Sequence, residues 1–278
     1  QRPADLQVAL DGQGGAALLA AGRGGGVACL AVQQRRAGPA LVQRRAWRFQ
    51  AAPLTCLAVA PRGPALSRVA CAAESGAIDL FCAEADAPLS TLRDATSVNA
   101  LQFHPAEEYL LSASSGGRVR LWDLQAGRRA LSLAGGGAAV HGLALHPARP
   151  FVVAAGGGDG AVRLWDVRSP GALLCTLEEH RAAVWQLAFH PQHPDFLFSC
   201  GEDGAMLLWN FNRHGAVAED ECRYSVADTS IHLLPSYSTM AINSFDLSDD
   251  GRALVYVSEN ECLHLVAGLE LGGAGLGA

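Results

Sequence analysis

Gly156 to Ser169 reads GGGDGAVRLWDVRS. Its first six residues fit the letters G-x-G-x-x-A, a pattern that cradles a dinucleotide when it joins a strand to a helix. The same letters also make a tight Gly/Asp turn into a strand, Val162 to Trp165. Choosing between these readings decides the fold.

The choice is made by what recurs. GGRVRLWDL surrounds Trp122, GDGAVRLWDV surrounds Trp165 and EDGAMLLWNF surrounds Trp209, at spacings of 43 and 44 residues. ESGAIDLFC is a weaker copy, with Phe81 in the Trp place 41 residues before Trp122. A second landmark alternates with the first: VNALQFHP (Val98–Pro105) returns at Val140–Pro147 and Val184–Pro191. LTCLAVAP (Leu54–Pro61), INSFDLSDDG (Ile242–Gly251) and DLQVALDGQG (Asp5–Gly14) are looser copies of this second landmark, and AGRGGGVACLAV is a degenerate copy of the first. A fixed period of about 40–45 residues marks a repeat architecture.

Within a unit, an apolar run ends at His-Pro, where proline cannot continue a ladder. A second run follows (Tyr109–Ala113, Phe151–Ala155), then a Gly/Asp turn, the Trp strand, and a fourth run (Arg129–Leu133, Leu173–Leu177). Short strands joined by Gly, Asp and Pro turns predict an all-β protein. Gly156–Gly160 therefore lie between two strands, with no helix N-terminus to hold a pyrophosphate.

Composition narrows the chemistry further. The 278 residues are half hydrophobic, enough for a large core, and carry a net charge of −6. That charge argues against direct nucleic-acid binding, which rests on clustered cations. No apolar run approaches the ~18 residues of a membrane span. All 21 cationic side chains are Arg, so a P-loop lysine, a Schiff-base lysine and a Ser-x-x-Lys nucleophile are excluded. The eight cysteines, 29, 56, 71, 82, 175, 200, 222 and 262, form no C-x-x-C pair and read as buried thiols.

The candidate sites each have a plainer structural reading. His104, His146 and His190 precede proline in equivalent turns and would lie on different units, too far apart for one metal; His190 and His193 lack a third ligand. Glu107-Glu108, Glu178-Glu179 and Asp249-Asp250 are sequence neighbours, which point apart and serve solvation. RRAGPALVQRRAWR (Arg35–Arg48) holds five Arg and reads as a solvated connector. No catalytic, metal or cofactor residue is assigned.

Four strands per unit with Trp122-Asp123, Trp165-Asp166 and the near match Trp209-Asn210 resemble the WD40 β-propeller. This resemblance implies one propeller domain over 1–278. Its units run over about 5–50, 54–92, 98–133, 140–177, 184–211 and 242–266, with 212–240 as a long inter-blade loop. Six units of a seven-bladed ring are visible, and most of a first blade and the closing strand are expected to be missing. The final unit should supply three strands. The resemblance also groups His180, Ser199, Asp203 and Trp209 as a buried structural tetrad of loop His, strand Ser, turn Asp and Trp. Other units keep only parts of it, Asp159 with Trp165 and Ser112 with Trp122. The repeat signature is Trp122, Asp123, Asp159, Trp165 and Asp166. The tetrad has the composition of a hydrolase triad but no nucleophile elbow or oxyanion hole.

The order of details is more specific. VWQLAFHPQHPDFLFSCGEDGAMLLWNF, the non-repeat segment Asn212–Met240 and the last repeat INSFDLSDDGRALVYVSENECLHLV together resemble the nucleoporin forty-three family, as does ESGAIDLFCAEADAPLSTLRDATSVNALQF. The resemblance implies a non-catalytic WD40 subunit of the Y-shaped nuclear pore scaffold, beside an α-solenoid nucleoporin, with a kinetochore role in mitosis and no cofactor. Departures are the absence of Lys and the Ala/Gly/Arg-rich composition. An alternative is a cullin-4 ligase substrate receptor, because Trp165-Asp166-Val167-Arg168 matches the W-D-x-R docking pattern. Neither reading fixes partner-binding residues.

Overall fold

A computed structural model describes residues 3–10, 16–22, 26–35, 38–48, 53–60, 68–82, 87–106, 108–169, 173–211, 229–234, 240–260 and 262–269; before residue 53, of side chains only that of Val27 is described. Every element among these residues is a β-strand. The chain divides into two compact units, residues 1–137 and 138–278.

The first unit holds three four-stranded antiparallel sheets. They are β1–β4 (Pro3–Leu10, Ala16–Gly22, Gly26–Arg35, Gly38–Arg48), β5–β8 (Leu54–Val59, Val69–Ala73, Ala77–Phe81, Ser90–Arg93) and β9–β12 (Val98–Phe103, Tyr109–Ser114, Arg118–Asp123, Arg128–Ala134). The second unit holds β13–β16 (Val140–Leu145, Val152–Gly157, Ala161–Asp166, Leu173–Glu178), β17–β20 (Val184–Phe189, Phe196–Gly201, Met206–Asn210, Ser230–Leu233) and β21–β23 (Ile242–Leu247, Ala253–Ser258, Leu263–Ala267). The six sheets correspond to the six repeat units, and the last has three strands.

Two segments differ from the sequence expectation. The arginine-rich stretch expected as a connector forms β4, pairing with β3 from Arg35↔Gly38 to Gly26↔Arg48. The pairs of adjacent Arg hide the strand alternation in the letters; the fate of their side chains lies outside the described residues. In the segment read as a loop, Ser230–Leu233 is a strand that pairs with β19 from Asn210↔Ser230 to Leu207↔Leu233. Its apolar residues Ile231 and Leu233 are 41% and 69% exposed, so no buried face marks it in the sequence.

Inner strands bury almost every residue. All of β6, VACAA, and all of β14, VVAAGG, are buried. Small residues let neighbouring sheets approach closely: a Cβ on Gly156 of β14 would meet Val184 Cγ1 at 2.6 Å, and one on Gly142 of β13 would meet the Trp185 carbonyl at 3.1 Å. In the second unit, one core gathers Val162, Leu164, Leu187, Leu197 and Trp209; another gathers Phe198, Leu208, Phe245, Leu254 and Tyr256. In the first, Ile78, Leu80, Leu101, Leu110 and Trp122 form one cluster.

Sheets within the second unit are also clamped by polar groups. Gln186 Nε2 donates to the Phe245 carbonyl (2.7 Å), and the Phe245 amide donates back to Gln186 Oε1 (3.0 Å). This two-bond clamp ties β17 to β21. His190 Nε2–H donates to the Gly251 carbonyl at 3.0 Å. The imidazole is fixed in that tautomer because its Nδ1 accepts the amides of Gln192 and His193 at 3.2 and 2.9 Å. His146 caps its own turn in the same way, accepting the amides of Ala148 (3.2 Å) and Arg149 (2.9 Å), and His104 accepts that of Ala106 (3.1 Å). The histidines before proline are turn caps on three different sheets.

The glycine turn of the opening stretch now has its explanation. Gly160 links β14 to β15 with φ +80°, a left-handed conformation that favours glycine. A Cβ there would lie 2.6 Å from the His180 carbonyl oxygen and 3.1 Å from that of Ala182. Gly76, Gly117 and Gly204 stand in the same place before β7, β11 and β19, with φ of 80°, 71° and 73°. Gly160→Ala is expected to cost about 1–3 kcal/mol from the left-handed strain alone, with the carbonyl clash added. Urea unfolding of the two proteins measures it; an unchanged midpoint contradicts it.

Candidate functional site

The constellation His180, Ser199, Asp203 and Trp209 is brought together in the sheet β17–β20. Ser199 lies on β18, and Trp209 on β19 across from Leu197. Asp203 sits in the turn between those strands, and His180 in the loop entering β17. Trp209 Nε1–H donates to Ser199 Oγ at 2.8 Å. Ser199 Oγ lies 2.7 Å from His180 Nε2, and His180 Nδ1 lies 2.9 Å from Asp203 Oδ2. A carboxylate only accepts, so Nδ1 carries the imidazole proton and Nε2 accepts from the serine hydroxyl. Asp203 also accepts the amides of Arg181 (2.9 Å) and Ala205 (3.0 Å).

The direction of these bonds is that of a hydrolase triad, but the setting is not. Ser199 has 0% exposure and His180 7%, so no substrate carbonyl reaches the hydroxyl. One side of that oxygen is filled by the indole N–H. Burial holds the His180 imidazole below its usual pKa despite the opposing pull of Asp203. Burial alone would raise the Asp203 carboxyl; the amides of Arg181 and Ala205 and the His180 ring outweigh it and hold the carboxyl below its usual range. The result is a satisfied chain of neutral imidazole and ionised carboxylate that locks loop, strand and turn together.

Other sheets vary this theme. In β9–β12, Ser112 Oγ accepts from Trp122 Nε1 at 2.9 Å, as Ser199 does from Trp209. Asp94 stands four residues before Val98, the place that His180 holds before Val184, and Gly116 replaces the turn Asp. Arg120, two residues before Trp122, forms an ion pair with Asp94 and donates to Ser114 Oγ at 3.2 Å. The two side chains are 8% and 0% exposed. In β13–β16, Gly136 holds the His place and Ala155 the Ser place, while the turn carboxylate Asp159 is retained. Arg163, again two residues before the Trp, pairs with Asp159 at 2.6 Å and holds its carboxyl below the usual range. In these two sheets, which lack the loop histidine, an arginine on the third strand takes up a carboxylate. This substitution is visible in the letters RVRLW and AVRLW against MLLW, once the repeat is aligned.

The Asp of the Trp-Asp dipeptide closes the turn after the third strand. Asp123 Oδ1 accepts the Ala126 amide (2.8 Å) and Asp166 Oδ1 the Arg168 amide (2.9 Å). Trp122 and Trp165 are buried at 5% and 3% exposure. Arg168 also forks onto Asp166, with Nη2 at 2.7 Å from Oδ2, and its guanidinium lies 3.4 Å from the centre of the Phe151 ring.

Among the described residues, no group of three or more His, Cys, Asp or Glu side chains could hold a metal ion. No helix of the described residues is long and apolar enough to cross a membrane. Cys56, Cys71, Cys175 and Cys200 are buried and none of the described cysteines is in a disulfide. Burial pushes the Cys175 and Cys200 thiols up to about 12, so neither supplies a thiolate near neutral pH.

His180→Ala is expected to leave Ser199 and Asp203 short of a partner and to cost about 1–3 kcal/mol, the range for a buried polar group left unsatisfied. Thermal unfolding checks it; an unshifted melt contradicts the cooperative chain.

Comparisons with known proteins agree with this architecture. Residues 86–123, 127–166 and 171–210 match the family "WD domain, G-beta repeat". Each matched repeat begins just before the last strand of one sheet and ends on the third strand of the next. The chain is 34% identical to nucleoporin Nup43 of Homo sapiens over 140 residues, covering 48% of this chain and 35% of that protein. Mus musculus Nup43 is 33% identical over 115 residues, 39% of this chain and 30% of the relative. THO complex subunit 6 homolog of Rattus norvegicus is 38% identical over 81 residues, 29% of this chain and 24% of the relative. The matched region spans about a third of the length of the Nup43 relatives. A chain in the crystal structure of the mitotic checkpoint complex superposes with a TM-score of 0.76 at 20% identity, covering 93% of this chain and 72% of that one, and shows the fold. The fold is the WD40 β-propeller. Together, the WD40 repeats and the matches to Nup43 support this chain's membership of the Nup43 family.

Proposed function

We propose that this protein is a non-catalytic scaffold subunit of the nuclear pore complex, docking other scaffold nucleoporins in the Y-shaped subcomplex and so supporting pore assembly and nucleocytoplasmic transport. The observation that carries this reading is the agreement with Nup43 over nearly half the chain. The closed Ser199–His180–Asp203 chain supports it by giving the most enzyme-like constellation a structural use. In this reading the partner is an α-solenoid nucleoporin of the short arm, no nucleic acid or membrane insertion is involved, and the protein visits kinetochores in mitosis. The motif Trp165-Asp166-Val167-Arg168 has a local explanation, since Arg168 binds Asp166 and stacks on Phe151. It therefore gives no separate support to a ligase receptor.

The test is live imaging of the fluorescently tagged chain expressed at its natural level. A continuous nuclear rim is expected in interphase. Diffuse cytosolic signal with no rim overturns the reading.

A further inference from the structure

The last sheet is one strand short. In each of the other five, a fourth strand pairs antiparallel with the third; β21–β23 ends on its third. Every described strand already has its place in a sheet, so none is spare to lie beside β23. The side chains register the difference. Among third strands, β15 is buried everywhere but at Arg163, and β19 everywhere but at Asn210. In β23, LHLVA, exposed and half-buried positions alternate, and Leu263 and Leu265 are 69% and 65% exposed. The opposite side of β23 is occupied: Val266 packs on the core that holds Leu254 and Tyr256, and His264 stacks on Tyr256 with ring centroids 4.6 Å apart.

The backbone has an open row as well. The Ser258 amide donates to the Cys262 carbonyl at 3.3 Å. Followed along the register of β22 and β23, this bond makes Tyr256↔His264 and Leu254↔Val266 the hydrogen-bonded pairs. The amides and carbonyls of Leu263, Leu265 and Ala267 therefore point away from β22, along the free edge. Such a row is a template for another strand, and edges are normally blocked by charge or proline. Leu263–Ala267 contains no Lys, Arg, Asp, Glu or Pro.

We propose that this edge is a dimer contact: β23 pairs antiparallel with β23 of a second copy of the chain, about a two-fold axis at Leu265, joining two three-stranded sheets into one continuous sheet. The strand itself selects a second copy. Its three outward residues are symmetric about Leu265, so Leu265 faces Leu265 of the second copy and Leu263 faces Ala267. Each of these pairs exchanges two N–H···O bonds. The side chains at the pairs are all apolar and lie on one face of the joined sheet, so each exposed leucine gains an apolar cross-strand neighbour. No charge in the strand is brought against its like. The second copy carries the same open edge, and one isologous contact satisfies both. This contact goes beyond the scaffold reading and does not depend on it.

The test is sedimentation equilibrium of the purified full chain from about 1 to about 300 μM, the range of micromolar-class contacts. A reversible monomer–dimer equilibrium is expected. Leu265→Lys sets two ammonium groups opposite each other at the axis and is expected to weaken the dimer by about tenfold or more. Leu265 is exposed, so the melting temperature of the dilute variant should match wild type, which is measured alongside. Cross-linking reads the register, in a Cys262→Ser background because that thiol is exposed beside the strand. Hydrogen-bonded pairs hold their Cα atoms about 5.5 Å apart, within disulfide reach. Leu265→Cys is expected to form a disulfide-linked dimer alone, and Leu263→Cys only when mixed with Ala267→Cys. A chain that stays monomeric throughout, a dimer that Leu265→Lys leaves intact, or Leu263→Cys cross-linking alone as fast as in the mixture overturns the proposal.

Discussion

Arg120→Met lowers the unfolding free energy by about 3–5 kcal/mol, the range for breaking a buried ion pair by removing one partner. The reason lies in what remains. Asp94, with a side chain 0% exposed, loses its cation and keeps only the Thr96 amide at 3.2 Å. Ser114 Oγ loses its bond from the guanidinium and keeps the one that it donates to the Arg118 carbonyl. The neighbouring turn cannot relax to admit water freely, because the Asp94 amide is tied to the Gly76 carbonyl at 2.7 Å. A Cβ on Gly76 would sit 2.4 Å from the Asp94 carbonyl oxygen. The double variant Asp94→Asn with Arg120→Met removes the orphaned charge and is expected to recover part of the loss. Urea unfolding of wild type, single and double variants decides it. A single variant within 1 kcal/mol of wild type, or a double variant worse than the single, contradicts a pair that is buried and coupled.

Stability falls by about 3 kcal/mol as pH drops from neutral to below 4, through His146 alone, since one pKa unit is worth about 1.36 kcal/mol. Burial, aided by Arg149, lowers this imidazole from 6.5 to about 4. The ring is 2% exposed and packs on Phe189 with centroids 4.9 Å apart. Its Nδ1 already accepts two backbone amides, so the proton has no lone pair there to occupy. Between pH 6.5 and 4, the unfolded chain binds a proton that the folded chain refuses, so stability rises with pH across this window and is lost as pH falls through it. His180 and His190 are lowered too, chiefly by burial, and push the same way. His146→Asn keeps an acceptor for the turn and removes the titration. Its unfolding free energy should fall less between pH 7 and 5 than that of wild type; equal slopes contradict the assignment.

Much of this architecture is legible in the letters because the units repeat. Trp122, Trp165 and Trp209 set the register of the third strands, and the glycine five residues before each sets the turn. Once that register is known, Ser199 and Asp203 follow from their spacing to Trp209, and His180 from its place before Val184. What the letters hide are bonds made across sheets or by residues that break the pattern. Gln186 reaches Phe245 over 59 positions, and nothing local distinguishes it from a solvated glutamine. Asp94 and Arg120 form a pair only when Asp94 is seen to stand in a histidine's place. The strand Ser230–Leu233 escapes because its apolar side chains face outward.

The scaffold assignment itself is tested most directly by purifying the tagged chain from a nuclear extract and quantifying what accompanies it. The account predicts that scaffold nucleoporins of the Y-shaped complex co-purify in amounts comparable to the tagged chain and remain after a salt wash. Their absence, with recovery instead of a cullin adaptor or of THO complex subunits, would contradict it.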